Sequence, residues 1–249
     1  MPEMKRVHIC DPREVLLATL ETVLKHWGYR VTCVGNLTEL LPILEQYKTD
    51  LVLVGDSVLS AVTGDLPPII EQLRLKEERV IALRQENAGS NPFDLPSLKV
   101  PVDMFQLFAL IQRYLEKFPR RHLRLDVRLP GLLCEEEKSQ LAEVLSISSR
   151  GLFISTNRLL ERGNRCQIVL PLIGMQRELE LETQVIYKVE PAQANNYRQG
   201  IGLEFVNVPP DIQQMLDSYL ERVLMVDLVE NSDARPLDIG QLNLLGKYS

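Results

Sequence analysis

The chain has 249 residues, 45% of them hydrophobic, which suits two ordinary cores better than one. Its formal net charge of −6 excludes a general DNA-, RNA- or membrane-surface-binding role, because a phosphate backbone needs a broad basic face. No apolar run is long enough to span a bilayer and Met1–Arg6 has no signal-peptide core, so a cytoplasmic protein without membrane insertion is expected. Cys10, Cys33, Cys134 and Cys166 are far apart, lack C-x-x-C spacing and read as reduced thiols.

The first 117 residues alternate strand and helix patterns. Arg6 to Cys10 is a short apolar strand. Asp11 with Glu14 three residues on resembles a capping box, with Pro12 at the first helical position, and the helix stripe runs from Val15 to Trp27 before Gly28. Val31–Val34 is a second strand, followed by a helix capped by Asn36 or Thr38 and ending near Tyr47. The continuous apolar run Leu51–Val54 suits a strand buried on both faces. A short helix over Ile69 to Lys76, a strand over Val80–Leu83, a strand over Lys99–Val102 and a helix from Met104 to Lys117 capped by Asp103 complete the pattern. Arg84 to Ser97 carries no helical stripe. Strict alternation implies a doubly wound, five-stranded parallel sheet, with its ligand crevice at the carboxyl ends of the strands.

This order resembles a response-regulator receiver domain over Val7 to Lys117. Receivers hold a divalent cation and accept a phosphoryl group, and the resemblance carries Asp11 over as one metal-binding acid. At its partner's place stands Pro12, the acceptor position is Gly55 with Asp56 one residue late, and Arg84 replaces the expected hydroxyl. Lys99 is one residue early. These departures point to a degenerate, pseudoreceiver domain, with Asp56 as a weak phospho-acceptor candidate and Mg²⁺ implied only if that site works. The plain reading makes Asp11 a helix cap and Asp56 a loop acid.

Pro119 then stops the helix, and Arg120, Arg121 and Arg124 follow within five residues. Guanidinium forks match phosphate oxygens in pairs and stack on bases. About twenty residues later Ser146-Ile147-Ser148-Ser149-Arg150-Gly151 offers hydroxyls and turn amides. Between and after these segments the period changes to two: Leu125, Val127 and Leu129; Ala142, Val144 and Ser146 on one face; Leu152–Ile154; Gln167–Leu170; Leu179 to Val189 alternating with glutamates; and Gly200–Phe205. Short antiparallel strands of this kind make a small barrel. Asp211 starts a helix carrying Ile212, Met215, Leu216, Tyr219, Leu220, Val223 and Leu224, which either covers the barrel or forms a homodimer seam.

From about Arg120 to Leu224 the chain resembles a PilZ domain, a family whose members commonly bind cyclic di-GMP through R-x-x-x-R and [D/N]-x-S-x-x-G. Arg120-Arg121-His122-Leu123-Arg124 completes the first motif. The second is matched at Ser148 and Gly151, with Ser146 where the family has Asp or Asn. The resemblance implies that Arg120 and Arg124 grip phosphate and guanine and that Ser148 contacts the ligand near the Gly151 turn; Arg121 and Ser146 complete the set of candidate ligand-binding residues.

The expected organisation is a receiver-like domain over 1–117, a PilZ-type barrel over 118–224 and a C-terminal tail over 225–249. The expected role is a non-enzymatic signalling protein that binds cyclic di-GMP and passes the state to the receiver-like domain or an unidentified protein partner. Two alternatives stand beside it: an interaction module that binds no nucleotide, and a phosphorelay protein using Asp56. His8, His26 and His122 have no metal-ligand spacing.

Overall fold

The computed structural model describes residues 4–60, 79–85, 95–135, 138–158, 160–196, 198–231 and 238–243. The expected helix over Ile69 to Lys76 and most of the Arg84–Ser97 segment lie outside these residues. Two compact units emerge: one takes the described residues up to Arg121 and those from Val226 onward, the other His122–Met225.

In the first unit, β1 (Arg6–Cys10), β2 (Arg30–Val34), β3 (Leu51–Gly55), β4 (Val80–Gln85) and β5 (Ser97–Val100) pair in parallel in the order β2-β1-β3-β4-β5. This is the doubly wound order of flavodoxin-like sheets, the receiver-like arrangement expected. Every residue of β3 is buried, as its unbroken apolar run requires. Cys10, Val52, Val54, Val80 and Ala82 pack with Leu40 on one face of the sheet. Between β3 and β4 the described chain has one short helix, α3 (Asp56–Ser60). The helix α2 (Leu37–Gln46) is capped by Asn36, whose side chain accepts from the Glu39 N–H. The helix α4 (Met104–Leu115) is capped by Asp103, which accepts from the N–H groups of Phe105 and Gln106.

One cap expectation fails. The helix α1 spans Glu14–His26 with Arg13 at its N-cap and no side-chain cap, so Pro12 lies outside it. Asp11 does not reach the helix's free N–H groups because Arg13 engages both of its oxygens. Asp56 likewise is not a loop acid: it is the first residue of α3, with Oδ2 accepting from the Gln85 N–H at 3.0 Å.

In the second unit, β6 (Arg124–Glu135), β7 (Lys138–Ser148), β8 (Gly151–Ser155), β9 (Arg165–Leu172), β10 (Arg177–Val189) and β11 (Gly200–Phe205) close a barrel in the order β10-β11-β8-β7-β6-β9. Leu125, Leu129, Val144, Ile147, Ile154, Ile168, Leu181 and Leu203 are among its buried residues. The helix α5 (Pro210–Asn231) follows, belonging to this unit as far as Met225, and it ends seven residues past the expected end; Leu224 and Leu228 are both buried. The barrel-and-helix architecture is the one expected.

Within the barrel, Ser146 does not share a face with Ala142 and Val144. The register shifts between Val144 and Ser146 against β8, and between Asp126 and Leu129 against β7. A bulge adds a residue and re-aims the side chains after it. Val144 and Ile147 are therefore both interior, three apart in sequence, and Ser146 is turned to the outside.

Candidate functional site

Arg124 opens β6 directly opposite Ser148 on β7, and Asp126 stands directly opposite Ser146. Residues paired across an antiparallel ladder share a face. Leu125 and Ile147, the pair between them, are buried in the barrel, so these four residues belong to its outer face. The ladder continues from Ser148 to Gly151 and from Ser146 to Phe153 on β8. Phe153 pairs in turn with Gly202 on β11, and Gly202 with Tyr187 on β10. One outer row therefore reads Asp126, Ser146, Phe153, Gly202, Tyr187. The Phe153 and Tyr187 rings stack with centroids 6.1 Å apart and planes 10° from parallel. Gly202 makes the seat: a Cβ there would lie 2.2 Å from Cε1 of Tyr187.

The turn joining β7 to β8 is held from several sides. Ser148 Oγ donates to the Gly151 carbonyl at 3.0 Å and accepts from the Arg150 N–H at 3.4 Å. His122 Nδ1 lies 3.1 Å from Ser149 Oγ, which ties the end of the arginine segment to the turn. From α5, Gln213 Nε2 donates to the Ser149 carbonyl at 3.2 Å. Gly151 has a structural reason to be glycine, since a Cβ would sit 2.2 Å from the Leu203 carbonyl oxygen.

Arg120, Arg121 and Arg124 are all exposed. Arg120 and Arg121 end the sheet unit, where the Arg120 N–H donates to Gln112 Oε1 of α4 at 3.1 Å and Gln112 Nε2 donates to Tyr29 Oη at 3.3 Å. On the barrel, the sequence-picked residues Arg124, Ser146, Ser148 and Gly151 come together on two ladder rows of one face, separated by the inward-facing Leu125–Ile147 row. Among the described residues, the side chains of Arg124 and Asp126 engage no hydrogen bond or ion pair. Asp126, Phe153, Tyr187 and His122 were not picked as ligand residues from the sequence. Asp126 carried a signal, lying two residues after Arg124 and so on the same strand face. The bulges hid its pairing with Ser146.

The carboxyl edge of the parallel sheet holds a different cluster. Asp11 is fully buried, and its Oδ1 accepts from the Arg13 backbone N–H at 2.9 Å and from Nε at 2.8 Å. Its Oδ2 accepts from Arg13 Nη2 at 2.6 Å. The same Nη2 stands 3.8 Å from Asp56 Oδ1. Gly55 makes room for this arrangement: a Cβ there would fall 2.3 Å from Asp11 Oδ2. The Asp11 hydrogen bond raises the Arg13 pKa, so this cation does not titrate away. Chemically the cluster is a guanidinium folded onto two carboxylates.

Among the described residues, no group of three or more His, Cys, Asp or Glu is gathered where it could hold a metal ion, and no helix is long and apolar enough to cross a membrane. His8 lies in β1, 2% exposed, with both ring nitrogens buried and without a hydrogen-bond partner among the described residues. Burial is the main cause that lowers its pKa, Arg6 adds to the shift and Asp50 opposes it. Burial likewise raises the thiol pKa values of Cys10, to about 12, and of Cys166, which suits inert core thiols.

Several solved structures are similar in part. The Bacillus subtilis inhibitor of motility is 18% identical at a TM-score of 0.38, over 45% of this chain and 53% of that one. YcgR in complex with c-di-GMP, from Escherichia coli, is 19% identical at 0.35, over 45% and 46%. The signal receiver domain of an HD domain-containing protein from Pseudomonas fluorescens is 20% identical at 0.38, over 46% and 96%. The chain thus spans only about half the length of the first two. No curated protein matches the chain. The family model described as the PilZ domain matches residues 118–222. That span runs from Phe118 through the closed barrel into α5, and this part of the chain is a PilZ domain.

Proposed function

We propose that the PilZ domain binds cyclic di-GMP on the outer barrel face built around Arg124 and Ser148. Arg124 carries the reading: it is an exposed guanidinium with no partner among the described residues, directly across the ladder from the serine of the second motif. A free fork at that place is matched to a phosphate diester, which needs two or more donors arranged in a plane. Arg120, the first arginine of the R-x-x-x-R motif, and Arg121 beside it are the further ligand-binding candidates that the sequence offers. Ser146, Ser148 and Gly151 line the floor.

In this reading the protein is a receptor and not an enzyme, acts in the cytoplasm, and requires no metal for the nucleotide. The receiver-like domain over 1–117, the barrel over 118–224 and the segment over 225–249 then form a signalling chain whose output goes to the receiver-like domain or to a protein partner. The engagement of both Asp11 oxygens by Arg13 favours a non-phosphorylated receiver-like domain over use of Asp56 as acceptor. Calorimetric titration of the full chain with cyclic di-GMP tests the proposal. Loss of a charge-assisted hydrogen bond is worth about 1.5–3 kcal/mol, so Arg120→Ala and Arg124→Ala should each weaken binding about tenfold to hundredfold. No heat and no thermal shift with folded wild-type protein overturns it in favour of an interaction module.

A further inference from the structure

We propose that Asp126 supplies the carboxylate that reads the guanine base, taking from β6 the place that the serine at position 146 leaves vacant on β7. The inference rests on the cyclic di-GMP reading above and names the base-reading group of that same site. Three observations carry it. Asp126 and Ser146 are direct ladder partners, so their Cβ atoms are about 5 Å apart on one face. Asp126 is exposed and, among the described residues, its carboxylate is committed to nothing, even though Arg124 lies two residues away on the same face. Phe153 and Tyr187 stand further along the same row, stacked on each other over Gly202.

The chemistry of guanine fits this row. Its Watson–Crick edge presents two parallel donors, N1–H and the exocyclic amine, and an ionised carboxylate offers two acceptor oxygens and no donor. Adenine presents an acceptor at N1 and is refused by the same group. Neighbouring strands are spaced about 4.8 Å apart, so Asp126 and Phe153 stand roughly 10 Å apart with only Ser146 between them. A flat base fits over that small residue with its edge on Asp126 and its rim toward the aromatic wall. The serine also has an electrostatic reason to be there. An acid at 146 would face the Asp126 carboxylate directly, and like charges opposed across a ladder repel.

Titration of the full chain with cyclic di-GMP and with cyclic di-AMP, at one fixed salt concentration, tests the assignment. Asp126→Ala should weaken cyclic di-GMP binding about tenfold to hundredfold and erase most of the preference over cyclic di-AMP. The double variant Asp126→Ser with Ser146→Asp moves the acid back across the ladder and should recover much of both. Arg124→Ala should weaken both nucleotides alike, as loss of a phosphate contact does. A bystander acid beside bound phosphates gives the opposite sign, because removing it relieves repulsion and tightens binding. Unchanged or tighter binding in Asp126→Ala, with wild type binding and Arg124→Ala impaired, overturns the role of Asp126 and leaves the cyclic di-GMP site standing. Wild-type protein that binds neither nucleotide overturns both.

Discussion

Two clusters of arginine and aspartate sit in this chain, and they are built in opposite ways. At the edge of the parallel sheet, Asp11 is fully buried and both its oxygens are held by Arg13, which reaches on toward Asp56. On the barrel, Arg124 and Asp126 lie two residues apart on one exposed strand face and leave each other alone. The first arrangement commits its charges to the fold; the second leaves them open, as the proposed ligand role requires. Residue type is the same in both, so burial and pairing decide which cluster can bind anything. A buried carboxylate without its cation is costly, whereas an exposed one stays hydrated and can exchange water for a ligand.

Removing one partner is the hardest test of that contrast. Arg13→Ala strands a buried carboxylate, a loss of about 3 kcal/mol at the lower end of the range for broken buried pairs, since Arg13 itself is partly exposed. Trp27, the one tryptophan, packs edge-to-face on Phe108 in the sheet unit, so its fluorescence during urea unfolding reports that unit. Adding Asp11→Asn to Arg13→Ala removes the stranded charge and should recover part of the loss. Stability unchanged in Arg13→Ala would show that the cluster is not what holds this edge of the sheet.

A smaller effect, driven by pH, comes from His8. It is buried in β1 without a hydrogen-bond partner among the described residues, and its pKa is lowered from the ordinary 6.5. Well above pH 6.5, near pH 7.5, the residue is neutral folded and unfolded, and contributes no pH dependence. As pH falls below 6.5 the unfolded chain takes up the proton first, so stability drops by up to about 1.4 kcal/mol per pH unit. The drop levels off below the lowered folded-state value. The Trp27 signal at pH 7.5 and 5.5 measures it, and His8→Leu should flatten the difference between the two. An equal slope in wild type and variant would assign the acid sensitivity to other groups.

The sheet was legible because each strand declares itself locally, as in the buried run Leu51–Gly55 and the capped starts at Asn36 and Asp103. The barrel was legible through period-two alternation, most plainly along β10 (Arg177–Val189). What local pattern could not supply was register. A bulge is one residue of slippage between two strands, invisible in either strand alone, and it turned Ser146 outward and placed Asp126 beside it. The same limit hid the Asp11–Arg13 pair: an i, i+3 acid is an equally good sign of a capping box, and only the fold shows which donor reaches the carboxylate first.

The barrel cluster should be the least sensitive part of the comparison when stability is measured. Arg124→Ala and Asp126→Ala delete exposed side chains with no partner among the described residues, and such substitutions usually stay within about 0.5 kcal/mol. Hydrogen exchange of amides in β6, β7 and β8 follows the barrel directly, and protection there should match wild type. A binding loss in the same variants is then a loss of contacts with the ligand. Protection that collapses instead would mean that Arg124 or Asp126 braces the strand edge, and the barrel cluster would belong with the sheet cluster as structure. The two outcomes differ because a residue reserved for a ligand adds little to the free energy of the unliganded fold.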